Sequence, residues 1–286
     1  MISIVIVNWN TRDLLEQCLS SILSFSPAEP IEIIVVDNAS RDQSAEMVAQ
    51  KFPTLKLIRT ERNLGYAAGN NLGIRASSGD LVLTLNPDTR FFDDSLSRAA
   101  AELRNLAECG VLAIKLLNED GTHQRSVRGF PTPANIFFEI CGLGALFPMS
   151  KLFGAYRQKW FDYTKSQAAE QPMGTFLLFR KEMLDKTGLF DEQFPIFFNE
   201  VDLLKKAQSQ GYGIRYFADA GVYHLGGAST RQVKKPMIWE SHRSLIRYLK
   251  KWHFSALAAP FLWLLFGLIW IGAFVRARGM YAGFRA

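Results

Sequence analysis

The first half of the chain repeats one pattern: a short run of branched apolar residues, then a stretch whose apolar positions return at helical spacing. Ser3–Val7 is such a run and reads as a buried strand. Asn10 or Thr11 is placed to cap the next helix, whose apolar positions are Leu14, Leu15, Cys18, Leu19 and Ile22. Ile31–Val36 predicts a second strand. Ser40 to Gln43 has capping-box spacing and predicts a helix reaching about Gln50. Strands at Leu55–Arg59, Leu81–Leu85 and Val111–Leu116 then alternate with helices at Ala67–Ala76 and about Ser95–Leu106. Such alternation predicts a parallel sheet with helices on both faces, and ligands bind beyond the carboxyl ends of its strands. Further on, the pattern predicts a strand at Thr175–Phe179 and helices at about Lys181–Lys186 and Glu200–Gln210, the second ended by Gly211. Two short strands follow, Ile214–Phe217 and Gly221–His224.

Two segments break this rhythm. Between Phe130 and Tyr163 nine aromatics mix with Lys and Arg, which suits either a core-packed insertion or an acceptor-facing surface near a membrane; partial core is the expectation. From Phe254 to Val275 no residue is ionisable. As one helix this stretch would run ~33 Å, enough to cross a hydrocarbon layer of ~30 Å. Trp252 and Trp270 lie towards its ends, with Lys250 and Lys251 before it and Arg276 and Arg278 after it. Basic and aromatic flanks favour a membrane helix, and the basic N-terminal flank puts the preceding domain in the cytoplasm. A helix lying in the interface, or one buried between subunits, satisfies the same composition.

Charge sharpens the division. The net charge is +6, but from Arg231 onward ten Lys/Arg face a single acid, Glu240. A basic balance confined to one terminal segment points to lipid headgroups and away from nucleic acid. Cys18, Cys109 and Cys141 lie far apart, as suits reduced cytosolic thiols, and Met1 leads straight into the first strand with no signal-peptide pattern. The expected layout is a catalytic domain over 1–230, a basic amphipathic helix over 231–253, a membrane helix over 254–275 and a basic tail over 276–286.

The candidate chemistry sits at strand ends. Asn8 closes the first strand and Asp37-Asn38 the second; a carboxylate there can hold ribose or base, or simply cap the next helix. No GxGxxG follows the first strand, which argues against a dinucleotide oxidoreductase. Asn86-Pro87-Asp88 ends the strand at Leu81–Leu85, and its carboxylate suits either a hard divalent cation or a plain turn. Asn199-Glu200-Val201-Asp202 puts two acids at a helix start. Two apart, they cannot share a helical face, so one points at substrate while the other serves structure. His224 leaves a strand beside Gly226-Gly227, as a structural histidine or as a ligand.

Taken in order, these elements resemble the family 2 glycosyltransferases, nearest the rhamnosyltransferase-like bacterial branch. The set is Asp37-Asn38-Ala39-Ser40, Asn63 to Gly73, Asn86-Pro87-Asp88, Gly188 to Glu192, Phe198 to Leu203 and His224-Leu225-Gly226-Gly227, within residues 1 to 230. The resemblance implies a GT-A fold, α/β with a Rossmann-like mixed sheet. Asn8, Asp37 and Asn38 would hold the nucleoside, and the loop carrying Asn63, Gly65, Gly69, Asn70 and Asn71 would line the donor pocket. Asp88 and His224 would bind Mn2+ or Mg2+, Glu200 would be the general base, and Asn86, Asp191 and Asp202 would support them.

Two departures from the family pattern stand out: Asn86 replaces the first acid of the DxD element, and the base is Glu where Asp is commoner. The implied reaction is inverting transfer from a UDP- or dTDP-linked sugar to a glycan or polyprenyl-linked acceptor at the cytoplasmic face of a bacterial plasma membrane. The alternatives are a sugar-phosphate nucleotidyltransferase, for which Asn8-Trp9-Asn10-Thr11 supplies no basic glycine-rich phosphate loop, and a silent sugar-nucleotide-binding scaffold.

Overall fold

The computed structural model describes residues 1 to 279, apart from 26, 28, 228 and 229. The predicted tail is therefore described only as far as Gly279.

The strands are β1 (Ile2–Asn8), β2 (Ile31–Asp37), β3 (Lys56–Arg59), β4 (Leu81–Leu85), β5 (Thr89–Arg90) and β6 (Cys109–Leu117), then the two-residue β7 (Val127–Arg128), β8 (Gln167–Ala168) and β9 (Gln171–Pro172), then β10 (Phe176–Arg180) and β11 (Gly213–His224). The helices are α1 (Arg12–Ser24), α2 (Ser44–Lys51), α3 (Tyr66–Arg75), α4 (Ser95–Asn105), α5 (Pro133–Ile140), α6 (Leu143–Leu146), α7 (Lys181–Thr187), α8 (Asn199–Ser209), α9 (Lys234–His253) and α10 (Ala259–Ala277). The main sheet runs β3-β2-β1-β4-β10-β6-β11-β5. Its long strands are parallel except β10, which runs antiparallel to both β4 and β6. The sheet is thus mixed, as the resemblance implies, where the strand–helix alternation by itself pointed to a parallel one. The reversal matters because the start of β10, not its end, lies at the sheet's carboxyl edge.

Alternating side chains of β1 feed two cores. Ile2, Ile4 and Ile6 pack with Leu15, Leu19 and Leu96 on one face. Val5 and Val7 join Ile34, Leu203 and Leu249 on the other. α3 lies directly on β1, since a Cβ at Gly69 would stand 2.7 Å from a Val7 methyl and one at Gly73 2.2 Å from a Val5 methyl.

Local chemistry moved several boundaries. The predicted helix at Ser40 begins at Ser44, because Gln43 takes a left-handed conformation and Asp42 accepts from the Ser44 amide at 3.1 Å. Neither Asn10 nor Thr11 caps α1. The Thr11 hydroxyl instead donates to Asn8 Oδ1 at 2.7 Å, and Asp42 accepts from the Arg12 amide at 2.8 Å. The two short C-terminal strands are one, β11, interrupted by an irregularity between Phe217 and Gly221.

The expected single helix from residue 254 is also corrected. α9 ends at His253, Phe254 is extended, and α10 starts at Ala259 with Pro260 in its first turn. Pro lacks the amide that an interior position must donate, so it fits only at a helix start. Leu245, Ile246, Tyr248 and Leu249 of α9 and Leu262, Leu265, Phe266 and Ile269 of α10 are buried in the same cluster as the sheet. Both helices are integral to the fold, with no separate linker layer. The aromatic segment divides: Phe130 and Tyr156 are core, while Leu146, Phe147, Met149 and Leu152 face outwards.

Candidate active site

Asn8 and Asp37 are register partners at the ends of β1 and β2. Asn8 Nδ2 reaches Asp37 Oδ1 at 3.3 Å and Ser40 Oγ at 3.1 Å, and the Ser40 amide donates to Asp37 Oδ2 at 3.1 Å. The Asp37 carboxylate is thereby oriented before any ligand arrives. Asn38 is spent on shape, donating to Asn63 Oδ1 at 3.0 Å and Gly65 O at 3.1 Å and accepting from the Leu64 amide at 2.8 Å. Beyond this knot lies a cavity of about 760 Å3 lined by Trp9, Asp37, Ser40, Arg59, Arg62 and Asn63 among others.

Of the residues expected to contact the donor, only Asp37 and Asn63 line that cavity. Gly65 holds a left-handed φ of +87° under the Pro195 carbonyl, and Gly69 permits the contact with Val7. Asn71 spends its amide on the 190s loop, donating to Phe190 O at 2.9 Å and to Glu192 Oε1 at 2.8 Å. Asn70 is fully buried and donates to Tyr66 O at 2.9 Å. The contacts of these four residues are with the protein's own backbone and side chains.

After β4 the chain turns through Asn86 and Asp88, and β5 pairs Thr89 with His224 at the end of β11. This pairing sets Asp88 Oδ1 3.5 Å from His224 Nε2, with both residues over nine-tenths buried. Gln124 Nε2 donates to the His224 carbonyl at 2.6 Å, which turns its Oε1 onto His224 Nδ1 at 2.8 Å. Nδ1 must then carry the ring hydrogen, leaving Nε2 bare towards Asp88. Burial lowers the His224 pKa more than Asp88 raises it, which favours that neutral tautomer.

A lone pair and a carboxylate facing each other call for a cation between them. An imidazole nitrogen anchored through its other nitrogen, plus one carboxylate oxygen, suits a divalent ion of the Mn2+ type. Among the described residues no cluster of three His, Cys, Asp or Glu side chains exists. The remaining ligands would have to come from the donor diphosphate and water. Asn86 is held by the sheet, its amide donating to Thr175 O at 3.0 Å.

Glu200 and Asp202 share the first turn of α8 and have opposite environments. Asp202 is fully buried yet saturated: Lys206 and Lys251 lie at 3.1 and 2.9 Å, and Trp252 Nε1 donates to it at 2.8 Å. Lys251 also grips Asp191 at 2.6 Å, so both acids bolt α9 beneath α8. Among the described residues no lysine or arginine forms an ion pair with Glu200. Desolvation pushes its pKa up to about 7, against the weaker pull of the α8 N-terminal amides and of Arg128. A carboxyl poised near neutrality is what a general base needs. Phe198, just before it, holds a left-handed φ of +66°, a strained conformation for an aromatic residue of the kind that collects at functional sites.

The two halves meet at Gly174-Thr175. A Cβ on Gly174 would stand 3.3 Å from Glu200 Cγ, and Thr175 Oγ1 lies 3.4 Å from His224 Nε2. Tyr66 donates to Gly174 O at 3.1 Å, and both Glu200 and Asp88 help raise its pKa after burial. The reversed β10 delivers this dipeptide to the sheet's working edge, which is why inspecting only the residues after each strand overlooked it. Gln124 was missed as well. The one sequence signal for the dipeptide was a glycine immediately before a wholly apolar strand.

The chain matches the family description Glycosyl transferase family 2 over residues 3–188. It is 26% identical over 282 residues to an N-acetylglucosaminyl-diphospho-decaprenol L-rhamnosyltransferase of Mycobacterium tuberculosis, covering 93% of this chain and 90% of that one. A low-salt glycan biosynthesis hexosyltransferase of Haloferax volcanii is 24% identical over 217 residues, 74% of this chain and 63% of its own length. The fold is similar to a mannosyltransferase from Pyrobaculum calidifontis in complex with GDP-Man and Mn2+, with a TM-score of 0.61 at 16% identity over 98% of this chain and 76% of that one. It is also similar to S. aureus TarS in complex with UDP-GlcNAc, with a TM-score of 0.55 at 18% identity over 95% of this chain and 81% of that one. With its GT-A fold and a donor crevice at the sheet's carboxyl edge, the chain belongs to glycosyl transferase family 2 and is a glycosyltransferase that uses a nucleotide sugar.

Proposed function

We propose that the chain transfers a sugar, rhamnose being the first candidate, from a UDP- or dTDP-linked donor to a hydroxyl of a polyprenyl-linked glycan. The setting is cell-surface polysaccharide assembly at the cytoplasmic face of a bacterial plasma membrane. The name of the mycobacterial relative supports the sugar and the lipid-linked acceptor.

In this reading Asp37 accepts hydrogen bonds from the nucleoside, with Asn63 on the cavity wall beside it. Asp88 and His224 hold the divalent ion, which when bound neutralises charge on the leaving diphosphate. Glu200 takes the proton from the acceptor hydroxyl as that oxygen attacks the anomeric carbon from the side opposite the leaving group. The anomer inverts, and no covalent intermediate on the protein is needed. Gly174 leaves room for the Glu200 side chain, and Thr175 keeps the imidazole edge in place.

The single observation carrying this reading is that adjacent residues of one dipeptide, Gly174 and Thr175, lie against Glu200 and His224 respectively, which supports a base and a metal-binding pair that serve one reaction. The test is a panel of sugar nucleotides scanned by thermal shift with and without Mn2+, followed by transfer assays on the best ligand. A donor that stabilises only with the cation supports the assignment, because binding to the native state raises its melting temperature. Stabilisation by a donor that is unaffected by chelator and by Asp88→Asn would remove the metal from the site.

A further inference from the structure

α10 has two apolar faces and only one of them is covered by protein. Leu262, Leu265, Phe266, Ile269 and Ala273 form a stripe buried along nearly the whole helix, packed on α9 and α5. On the other side Phe261, Trp263, Leu264, Trp270, Ile271 and Phe274 are exposed, Leu264 and Ile271 at 61% each. A helix apolar all round needs an apolar neighbour on every side.

The uncovered face does not stop at α10. Phe261 meets Phe137 of α5 with ring centroids 5.7 Å apart, Phe137 meets Phe138 at 6.4 Å, Phe138 meets Phe153 at 5.1 Å, and Phe153 meets Phe147 at 5.5 Å. This chain of rings leads to Leu146, Met149 and Leu152, exposed at 69%, 65% and 61%. One apolar surface therefore joins two parts of the chain more than a hundred residues apart in sequence.

Cations rim it. Lys250 lies over the Trp263 ring at 5.0 Å, and Arg278 over Phe274 at 4.6 Å. At the far end of α10, Lys234, Lys235, Arg276 and Arg278 line a groove of about 540 Å3 together with Trp239 and Phe274. The one acid of the segment, Glu240, is taken up by Arg243 and Arg247. A second copy related by a two-fold axis would set like charge against like. Anionic lipid complements it, because its headgroups carry the opposite charge.

From this geometry we infer that α10 lies in the plane of an anionic lipid surface as a monotopic anchor and does not cross it. Its uncovered stripe and the residue 146–152 segment enter the acyl boundary together, and the Lys234–Arg278 groove takes a lipid phosphate. Crossing would require α10 to leave α9 and α5, expose the buried stripe and break the contacts of Lys250 with the Trp263 and Phe266 rings. The inference deepens the proposed function by fixing how the enzyme meets a membrane-held acceptor, and rests on that reading only for its purpose.

The test uses the full chain. Purified protein is mixed with vesicles of phosphatidylcholine containing phosphatidylglycerol, or of phosphatidylcholine alone, and floated. Flotation strongly favouring the anionic vesicles is expected, with most of it lost in the double variant Leu264→Glu/Ile271→Glu and in Leu146→Glu/Met149→Glu. Melting curves of each variant check that it is folded. A cysteine appended after Ala286 in a Cys141→Ser background is then probed in inside-out membrane vesicles with an impermeant maleimide, and labelling without detergent is expected. Three outcomes overturn the inference: labelling only after detergent, which means a spanning helix; flotation of folded double variants like the parent; or a dimer by light scattering with no lipid binding. Donor binding measured on the same samples reports separately on the glycosyltransferase reading.

Discussion

The nucleoside side of the crevice and the transfer side are built on opposite principles. Around Asp37 the polar side chains of Asn8, Ser40, Asn38 and Asn63 hydrogen-bond to one another or to nearby backbone across adjacent strand ends. Around Glu200 and Asp88 charges are left incompletely matched: a carboxyl pushed up to about 7 by burial, and a bare imidazole nitrogen facing a carboxylate. The first region is rigid and ready to bind. The second holds unfavourable electrostatics that a donor, a cation and an acceptor would relieve, so it is where stability is given up for chemistry.

Replacing the base tests this contrast most severely. Glu200→Gln is expected to lower the transfer rate by about 10²–10⁴-fold in initial-rate assays while donor affinity holds. Comparable turnover in the variant would remove Glu200 from the mechanism. The acid two residues on should behave in the opposite way. Asp202→Ala strands Lys206 and leaves the Trp252 indole N–H without its acceptor, and breaking a buried pair costs ~3–5 kcal/mol, read as a lower denaturation midpoint. The loss of activity in that variant should follow its loss of fold.

On the transfer side, Gln124→Leu frees the His224 ring and should weaken divalent-ion binding by about 10–100-fold, measured by titrating Mn2+ into the donor complex. On the nucleoside side, Asp37→Asn should raise the donor KM by about tenfold, the loss of a charge-assisted hydrogen bond, and leave kcat alone.

The smallest effect concerns pH. Glu200 acts as a base only when ionised, so kcat should fall as pH drops below about 7 and level off above it. Its raised pKa means the folded state keeps a proton that the unfolded chain has lost between pH 4.5 and about 7. This group's contribution therefore becomes less favourable as pH rises through that window. Above it, Glu200→Gln should be the more stable protein in thermal melts. A melting temperature that does not rise at pH 8 would show that the carboxyl is better solvated than its surroundings imply.

Much of the fold was legible because it is local. β1, β2 and β4 are mostly apolar on both faces, as a strand covered on both sides requires, and Asn8, Asp37 and Asp88 follow at their ends. The spacing of Glu200 and Asp202 already said that the two acids would have different surroundings. Local pattern could not say which acid has which, because the answer lies with Lys251 and Trp252, some fifty residues away.

What the sequence determined by itself is the order of strands and helices, the ordered acids at the strand ends, and a C-terminal stretch too apolar for water on all sides. Tertiary structure alone decided that β10 runs backwards and brings Gly174-Thr175 between Glu200 and His224. It also decided that Asn71 ties down the 190s loop, that Gly65 and Gly69 admit Pro195 and Val7 instead of lining the cavity, and that α10 spends one face on the enzyme's own core. The reason is common to all three. Periodicity and turn chemistry act between near neighbours, whereas strand direction, charge pairing and the covering of a helix face depend on contacts between segments that the chain brings together only on folding.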